Sequence, residues 1–594
     1  TTEIYTLSLH DALPILSNVN KDSRLFQEFP PVSREQWEAV IKEDLKGADY
    51  DKKLVWKTNE GIAVQPYYRA EDVKQLGYLD ALPGEFPYAR GKKINKNQWY
   101  IRQDMEVSDF AKANAKAIEI IKKGATSLGF MLDCDHELQA SDVQTLLKGI
   151  DLTQIELNVT AGPQSQKFLT FLNEYIRSQK IDPAKVEGSL CFDPFGYVTV
   201  YGNFCKSLEY SMNFCAALVN LVKPLPKFRV IAIKGYIFHN SGATAVEELA
   251  FSLSQGVEYI SQLEKLGLGT EEVASKLKFN FAVGTNYFME IAKVRAARIL
   301  WANILKSFGV KSSEAQIMRI HSVTSDWNKT VYDTHVNLLR TTTEAMAAVL
   351  GGTDSLTVKP FDFMLEKENP FSERIARNQQ LVIKEEAYLD RVVDPASGSY
   401  YIETLTNSLA EAAWALFVET EEKGGYLEAF KQNFIQQKIN ESARKRDTDI
   451  ANRRETILGT NQYPNFNEKL EKQIDNAILE PENLTVENAL APGLKPYRGA
   501  MAFEALRYKT DVYSMTHKRP KAFMFAFGNL AMRRARAQFA CNFFACAGFE
   551  TIDTIGFKTI DEGVKASLEA KADIVVICSS DEEYTQIAPE IYNA

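Results

Sequence analysis

Eight short apolar runs, most of them followed by an amphipathic stretch, limit what this chain can become. They fall at 98–104, 128–133, 154–160, 188–192, 229–236, 278–283, 316–321 and 355–359. A strand that must wait for a helix before meeting the next strand pairs with it in parallel. Eight such units predict a (β/α)8 barrel, although periodicity alone leaves an open parallel sheet as an alternative. The clearest helix spans 287–305, with Ile291, Val294, Trp301 and Leu305 near one face. Arg295 and Arg298 interrupt its apolar surface. Two arginines in such a helix are expected to serve as ion-paired structural groups.

Composition narrows the function. The chain has 594 residues, a net charge of -9 and a pI near 5.5. An acidic chain of this kind is a poor match for nucleic acid, whereas an anionic small molecule needs only a local basic patch. Seven cysteines without a CxxC pair suggest neither a disulfide framework nor a zinc site. Cys541 and Cys546, five apart in an apolar helical context, are expected to be buried thiols. No apolar run reaches the roughly 18 residues of a membrane span. The expectation is a soluble, cytoplasmic protein of two or more domains.

Residues 1–16, TTEIYTLSLHDALPIL, have neither a basic start nor a clear cleavage site. They read as translated adapter sequence, a non-native artefact. Ser33, Glu35 and Gly47 bracket a helix with credible caps. A barrel region is expected over 96–449 and a polar linker over 450–518. Strand and helix alternate again over 519–594, with apolar strands at 521–527, near 550–555 and in ADIVVICSS. That alternation predicts a doubly wound domain. It stops at Ala594 before a full set of strands and is read as incomplete.

The longest specific pattern is RIARNQQLVIKEEAYLDRVVDPASGS at 374–399. Structurally, Ile375, Leu381 and Val382 should anchor a helix, and Asp394-Pro395 with Gly398 should make a turn. The run also resembles the signature of the methylmalonyl-CoA mutase family. KGYIFHNSGATAVEELAFSLSQGVEYI at 234–260, NYFMEIAKVRAARILWANIL from Asn286 and RIHSVTSDW from Arg319 resemble the same family, and residues 17–95 resemble its N-terminal arm. The resemblance favours a TIM barrel followed by a flavodoxin-like, cobalamin-binding-type domain. It implies adenosylcobalamin chemistry on acyl-CoA esters.

Catalytic members carry a Tyr-His pair after the fourth-strand segment. This chain has Tyr236-Ile237, and isoleucine has no donor. His239, two residues on, is expected to be a satisfied structural histidine. Catalytic members also follow IRQ with tyrosine, where this chain has Asp104. A carboxylate is a poor wedge in a dry radical site, and Asp104 is expected to face water or a basic partner. Cobalamin-binding members carry Asp-x-His-x-x-Gly after the first strand of the last domain. The matching positions are Ala531, Arg533 and Arg536, which offer no lone pair to cobalt. Arg533, Arg534 and Arg536 are expected to form a solvated or partner-facing basic helix end. Arg319, His321 and Ser322 match a polar strand end that faces the CoA ester, and are possible vestigial contacts.

These departures imply no catalytic and no cofactor-binding residue on this chain. The resemblance then implies a heterodimer, in which a large subunit holds adenosylcobalamin and interconverts succinyl-CoA and (R)-methylmalonyl-CoA. Two rivals remain: a cobalamin mutase for another acyl-CoA, and a non-enzymatic interaction protein of the same fold.

Overall fold

A computed structural model describes residues 29–367, 369–470 and 474–594. The adapter-like stretch at 1–16 lies outside them. Two compact units emerge. The smaller, described over 29–58 and 63–67, holds the helix Arg34–Asp44, started by a capping box in which Ser33 and Gln36 bond each other's backbone N–H. Trp37 stacks on Tyr67 at 5.6 Å, and Trp56–Lys57 pairs antiparallel with Ala63–Val64.

The larger unit contains the barrel. Its strands are β1 (Tyr100–Val107), β2 (Ser127–Leu132), β3 (Glu156–Thr160), β4 (Gly188–Leu190), β5 (Phe228–Arg229 with Ile231–Ile233), β6 (Leu277–Val283), β7 (Ile320–Thr324) and β8 (Ser355–Thr357). All pair in parallel, each with the next in sequence, and β8 returns to β1 through Ser355↔Tyr100. β5 is divided at Val230: its first part bonds β4 and its second bonds β6. The closed ring excludes the open-sheet alternative.

Several strand ends shift from the sequence reading, and two of the shifts bear on the site. Ser312 caps the turn Ser313–Gln316, so Gln316 is helical and β7 begins only at Ile320. β5 stops at Ile233, and the chain turns at Gly235 into the short helix Tyr236–Asn240. Both displacements matter for the site, because they change which residues reach the C-terminal face.

The 374–399 signature is a structural clasp. Its helix Pro370–Leu381 runs into a π-helical turn, Val382–Glu386, where Ile383 is buried and Val382 is exposed. Ile375 and Leu381 are half-buried. Asp394 and Gly398 take positive φ, 46° and 79°, and Ser399 caps the helix Tyr400–Glu422. From the helix Tyr287–Ser307, fully buried Arg295 pairs with Asp394 and with Glu403, the latter at 2.7 Å. The signature thus supplies a carboxylate that a buried arginine requires. Arg298 differs: its guanidinium donates to the Tyr88 and Ala89 carbonyls at 3.0 and 2.9 Å.

Within 450–518 the structure places a helix, Met501–Thr516, that ties the barrel to the last domain. Glu504 accepts from the Val331 N–H, and Asp511 accepts from the Tyr332 hydroxyl and pairs with Arg519. The last domain has β9 (Lys521–Ala526), β10 (Glu550–Ile552) and β11 (Ile574–Cys578) in the parallel order β10-β9-β11. That order is the opening of a doubly wound, flavodoxin-like sheet. Cys541 and Cys546 are buried, on the helix Leu530–Cys546. No helix among the described residues is long and apolar enough to cross a membrane.

Candidate functional site: a filled barrel axis and a cavity at its mouth

Residues two apart on a strand share a face, so alternate positions of every barrel strand point inward. Several of those positions are charged. Lys278 of β6 reaches across to β3, donating to Glu156 Oε1 and Asn158 Oδ1, each at 2.9 Å. Ser127 of β2 donates to Glu156 Oε2 at 2.6 Å, and Ser189 of β4 donates to Asn158 Oδ1 at 2.6 Å. All five side chains are buried. Burial works against the charge of Glu156, but Lys278 and the Ser127 hydroxyl outweigh it and hold the carboxyl below its ordinary range. At this level the barrel axis is spanned by a satisfied polar network.

Asp104 lies nearer the mouth on β1. Its Oδ1 accepts from Arg102 Nε at 2.6 Å and its Oδ2 from the Thr357 hydroxyl at 3.3 Å. The basic partner expected for it is therefore two residues away on its own strand. Gly129 on β2 makes room: a Cβ there would lie 1.7 Å from Asp104 Oδ1.

The candidate ester-facing residues are not brought together at the mouth. Because β7 starts at Ile320, Arg319 sits at its N-terminal end, where it pairs with Glu314. His321 is buried, bonded to the Ser355 hydroxyl at 2.9 Å, and burial with nearby Arg102 and Lys278 keeps it neutral. Ser322 alternates to the other face and donates to Thr353 Oγ1 at 2.9 Å. All three have partners within the chain.

At the C-terminal face the short helix Tyr236–Asn240 replaces the end of the predicted strand. Tyr236 and Ile237 line a cavity of about 530 Å³ beside Cys191, Lys234, Tyr197 and Phe214. His239 is turned into the protein, 2.8 Å from Ser325 Oγ and 3.7 Å from Glu248. Burial, with the charges of Lys293 and Arg446, pushes its pKa well down, so it is a neutral, bonded histidine. The position that carries a catalytic imidazole in the resemblance presents a hydrocarbon to the cavity.

The last domain repeats the pattern. At its switch point, between the C-terminal ends of β9 and β11, Glu583 occupies the crevice. Its carboxylate accepts from the Asn529 N–H, the Ser580 N–H and the Ser579 and Ser580 hydroxyls. Those bonds lower its pKa to about 2. A Cβ on Gly528 would lie 2.2 Å from that carboxylate. Ala531 is exposed at the helix start. Arg533 donates to the Gly528 carbonyl at 3.1 Å, and Arg536 pairs with Asp581 at 2.6 Å and stacks on Tyr584. Arg533 and Arg536 are thus half-buried and engaged internally, and only Arg534 of the three is exposed. Residues 518–594 contain no histidine, so none of them offers the imidazole that the cobalt-ligand motif requires. The residues present do not fit that cofactor.

Sequence reasoning missed Glu156, Lys278, Lys234 and Glu583. The available signal was a charge inside an apolar run, as in IELNVT and LKFNFAV, or at the end of one, as in IAIK. For Glu583 it was the capping-box spacing from Ser580.

A closed parallel barrel followed by a doubly wound sheet defines the class: an α/β protein built like the acyl-CoA mutases. Residues 57–506 match the model of the methylmalonyl-CoA mutase family, and the chain belongs to that family. It is 47% identical to a methylmalonyl-CoA mutase small subunit from Porphyromonas gingivalis, across 96% of this chain and 91% of that one. A small subunit from Streptomyces virginiae is 33% identical over the same shares. The Porphyromonas gingivalis large subunit is 34% identical, over 75% of this chain and 66% of that protein.

Proposed function

We propose that this chain is the non-catalytic subunit of a heterodimeric methylmalonyl-CoA mutase. Its partner is a large subunit that carries adenosylcobalamin and interconverts succinyl-CoA and (R)-methylmalonyl-CoA. The observation that carries the reading is the filled axis: the Lys278–Glu156 network occupies the barrel interior with the chain's own side chains. Ile237 at the mouth and Arg533 in the last domain support it, because the first has no donor to polarise a thioester and the second no lone pair for cobalt. Small and large subunits are both found in Porphyromonas gingivalis and in Streptomyces virginiae, which supports a paired assembly here.

In that assembly adenosylcobalamin supplies the radical that starts the rearrangement. This chain supplies a folded surface against which the large subunit packs. Co-expression with the large subunit of the same genome tests the proposal. A tagged chain should retain that subunit through purification, and mutase activity should follow the complex. Full activity in this chain alone would refute the reading, as would failure to retain the large subunit.

A further inference from the structure

The cavity at the barrel mouth is not explained by a packing role. Its volume, about 530 Å³, lies within the range of small-molecule sites. The walls are largely apolar or aromatic, including Phe192, Tyr197, Val200, Tyr201, Phe214 and Ile237. Two lysines line it. Lys206 lies over the Tyr210 ring at 4.3 Å. Lys234 is different: its ammonium has no hydrogen bond or ion pair to another described residue, although it lines the cavity beside Asp193.

Asp193 does not neutralise Lys234 by direct contact. Its carboxylate accepts from the Tyr259 hydroxyl at 2.6 Å, the Gly196 N–H at 2.9 Å and the backbone N–H of Lys234 at 2.9 Å. Desolvation opposes the charge on Lys234 and the Asp193 carboxylate favours it; its pKa is raised from the ordinary lysine value. A cation facing an apolar chamber, with the Asp193 carboxylate bonded elsewhere, lacks one charge-assisted partner.

We propose that this cavity binds a small monocarboxylate with an apolar body, its carboxylate on the Lys234 ammonium and its hydrocarbon against Phe192, Phe214 and Ile237. The ligand is a free acid anion rather than a CoA thioester. One unpaired lysine matches one carboxylate, and the side chains of Lys278 and Glu156 lie across the axis below, where a thioester's long arm would have to run. This assignment stands independently of the subunit reading, because it concerns only this chain's own cavity.

Titration calorimetry on the purified full chain tests it, with octanoate as the probe and octan-1-ol as its uncharged counterpart. Octanoate should bind one to one, at least about ten-fold more tightly than the alcohol, as a charged hydrogen bond predicts. K234M should abolish that preference while K234R retains it. I237W should weaken both ligands by filling the chamber. If K234M does not fold, the acid-to-alcohol ratio and K234R still decide the matter. Equal binding of acid and alcohol would overturn the proposal, as would no binding of octanoate by the folded chain. Displacement of octanoate by methylmalonyl-CoA at stoichiometric concentration would overturn the free-acid assignment.

Discussion

The barrel axis and the crevice of the last domain are both filled by the chain's own charged side chains, but in different surroundings. In the barrel, Lys278, Glu156, Asn158 and Ser189 are buried and bonded to one another. In the last domain, Glu583 and Arg536 fill or flank the switch point close to solvent. A buried ion pair cannot lose one member cheaply, because the other is left as an uncompensated charge. An exposed pair is screened and readily replaced by water. The barrel filling is therefore part of the fold, whereas the crevice filling is a local arrangement laid over it.

The largest expected effect breaks the buried side. Lys278→Met should destabilise the chain by ~3–5 kcal/mol, read from the midpoint of chemical unfolding at neutral pH. Adding Glu156→Met should recover most of that loss, since two apolar groups of similar volume replace the pair. The double variant also tests the pH dependence. Glu156 titrates below its ordinary value of 4.5 when folded, so its contribution is complete above that pH and is lost as pH falls through the folded value. The acid-induced fall in stability should thus be smaller in the double variant than in the parent. A single variant as stable as the parent would remove the distinction between the two regions.

The crevice should respond less. Glu583, with a folded pKa of about 2, contributes stability that is complete above 4.5 and lost as pH falls through about 2. A carbon-13 carboxyl titration of glutamate-labelled protein should show one resonance with a midpoint near 2. Arg536→Ala should leave the neutral-pH unfolding midpoint close to that of the parent, and Glu583→Gln should lower it by less than Lys278→Met does. A loss as large as that of Lys278→Met would show the crevice to be as integral as the barrel.

Much of this architecture was legible in the sequence. Each of the eight barrel strands overlaps one of the apolar runs, because a parallel strand covered on both sides is largely apolar. The cap at Ser33 follows the same local logic. The strand ends were harder. QIMRIHSV is apolar enough to begin a strand at Gln316, but the Ser312 cap makes Gln316 the end of a helical turn and the strand waits until Ile320. That shift moved Arg319 to the wrong end of β7 for a site at the mouth. The polar network was illegible for another reason: Glu156 and Lys278 lie 122 residues apart and meet only when the barrel closes. Ile237 was readable in the sequence as a side chain without a donor; the chain's own filling of the axis was not readable there.

The central claim is that this barrel is occupied by its own side chains and works through a catalytic partner. It is tested most directly by counting corrinoid in the purified complex of this chain with its large subunit, from absorbance against protein concentration. One corrinoid per pair, with none retained by this chain alone, is the predicted result. Two per pair, or a coloured chain in the absence of its partner, would contradict it.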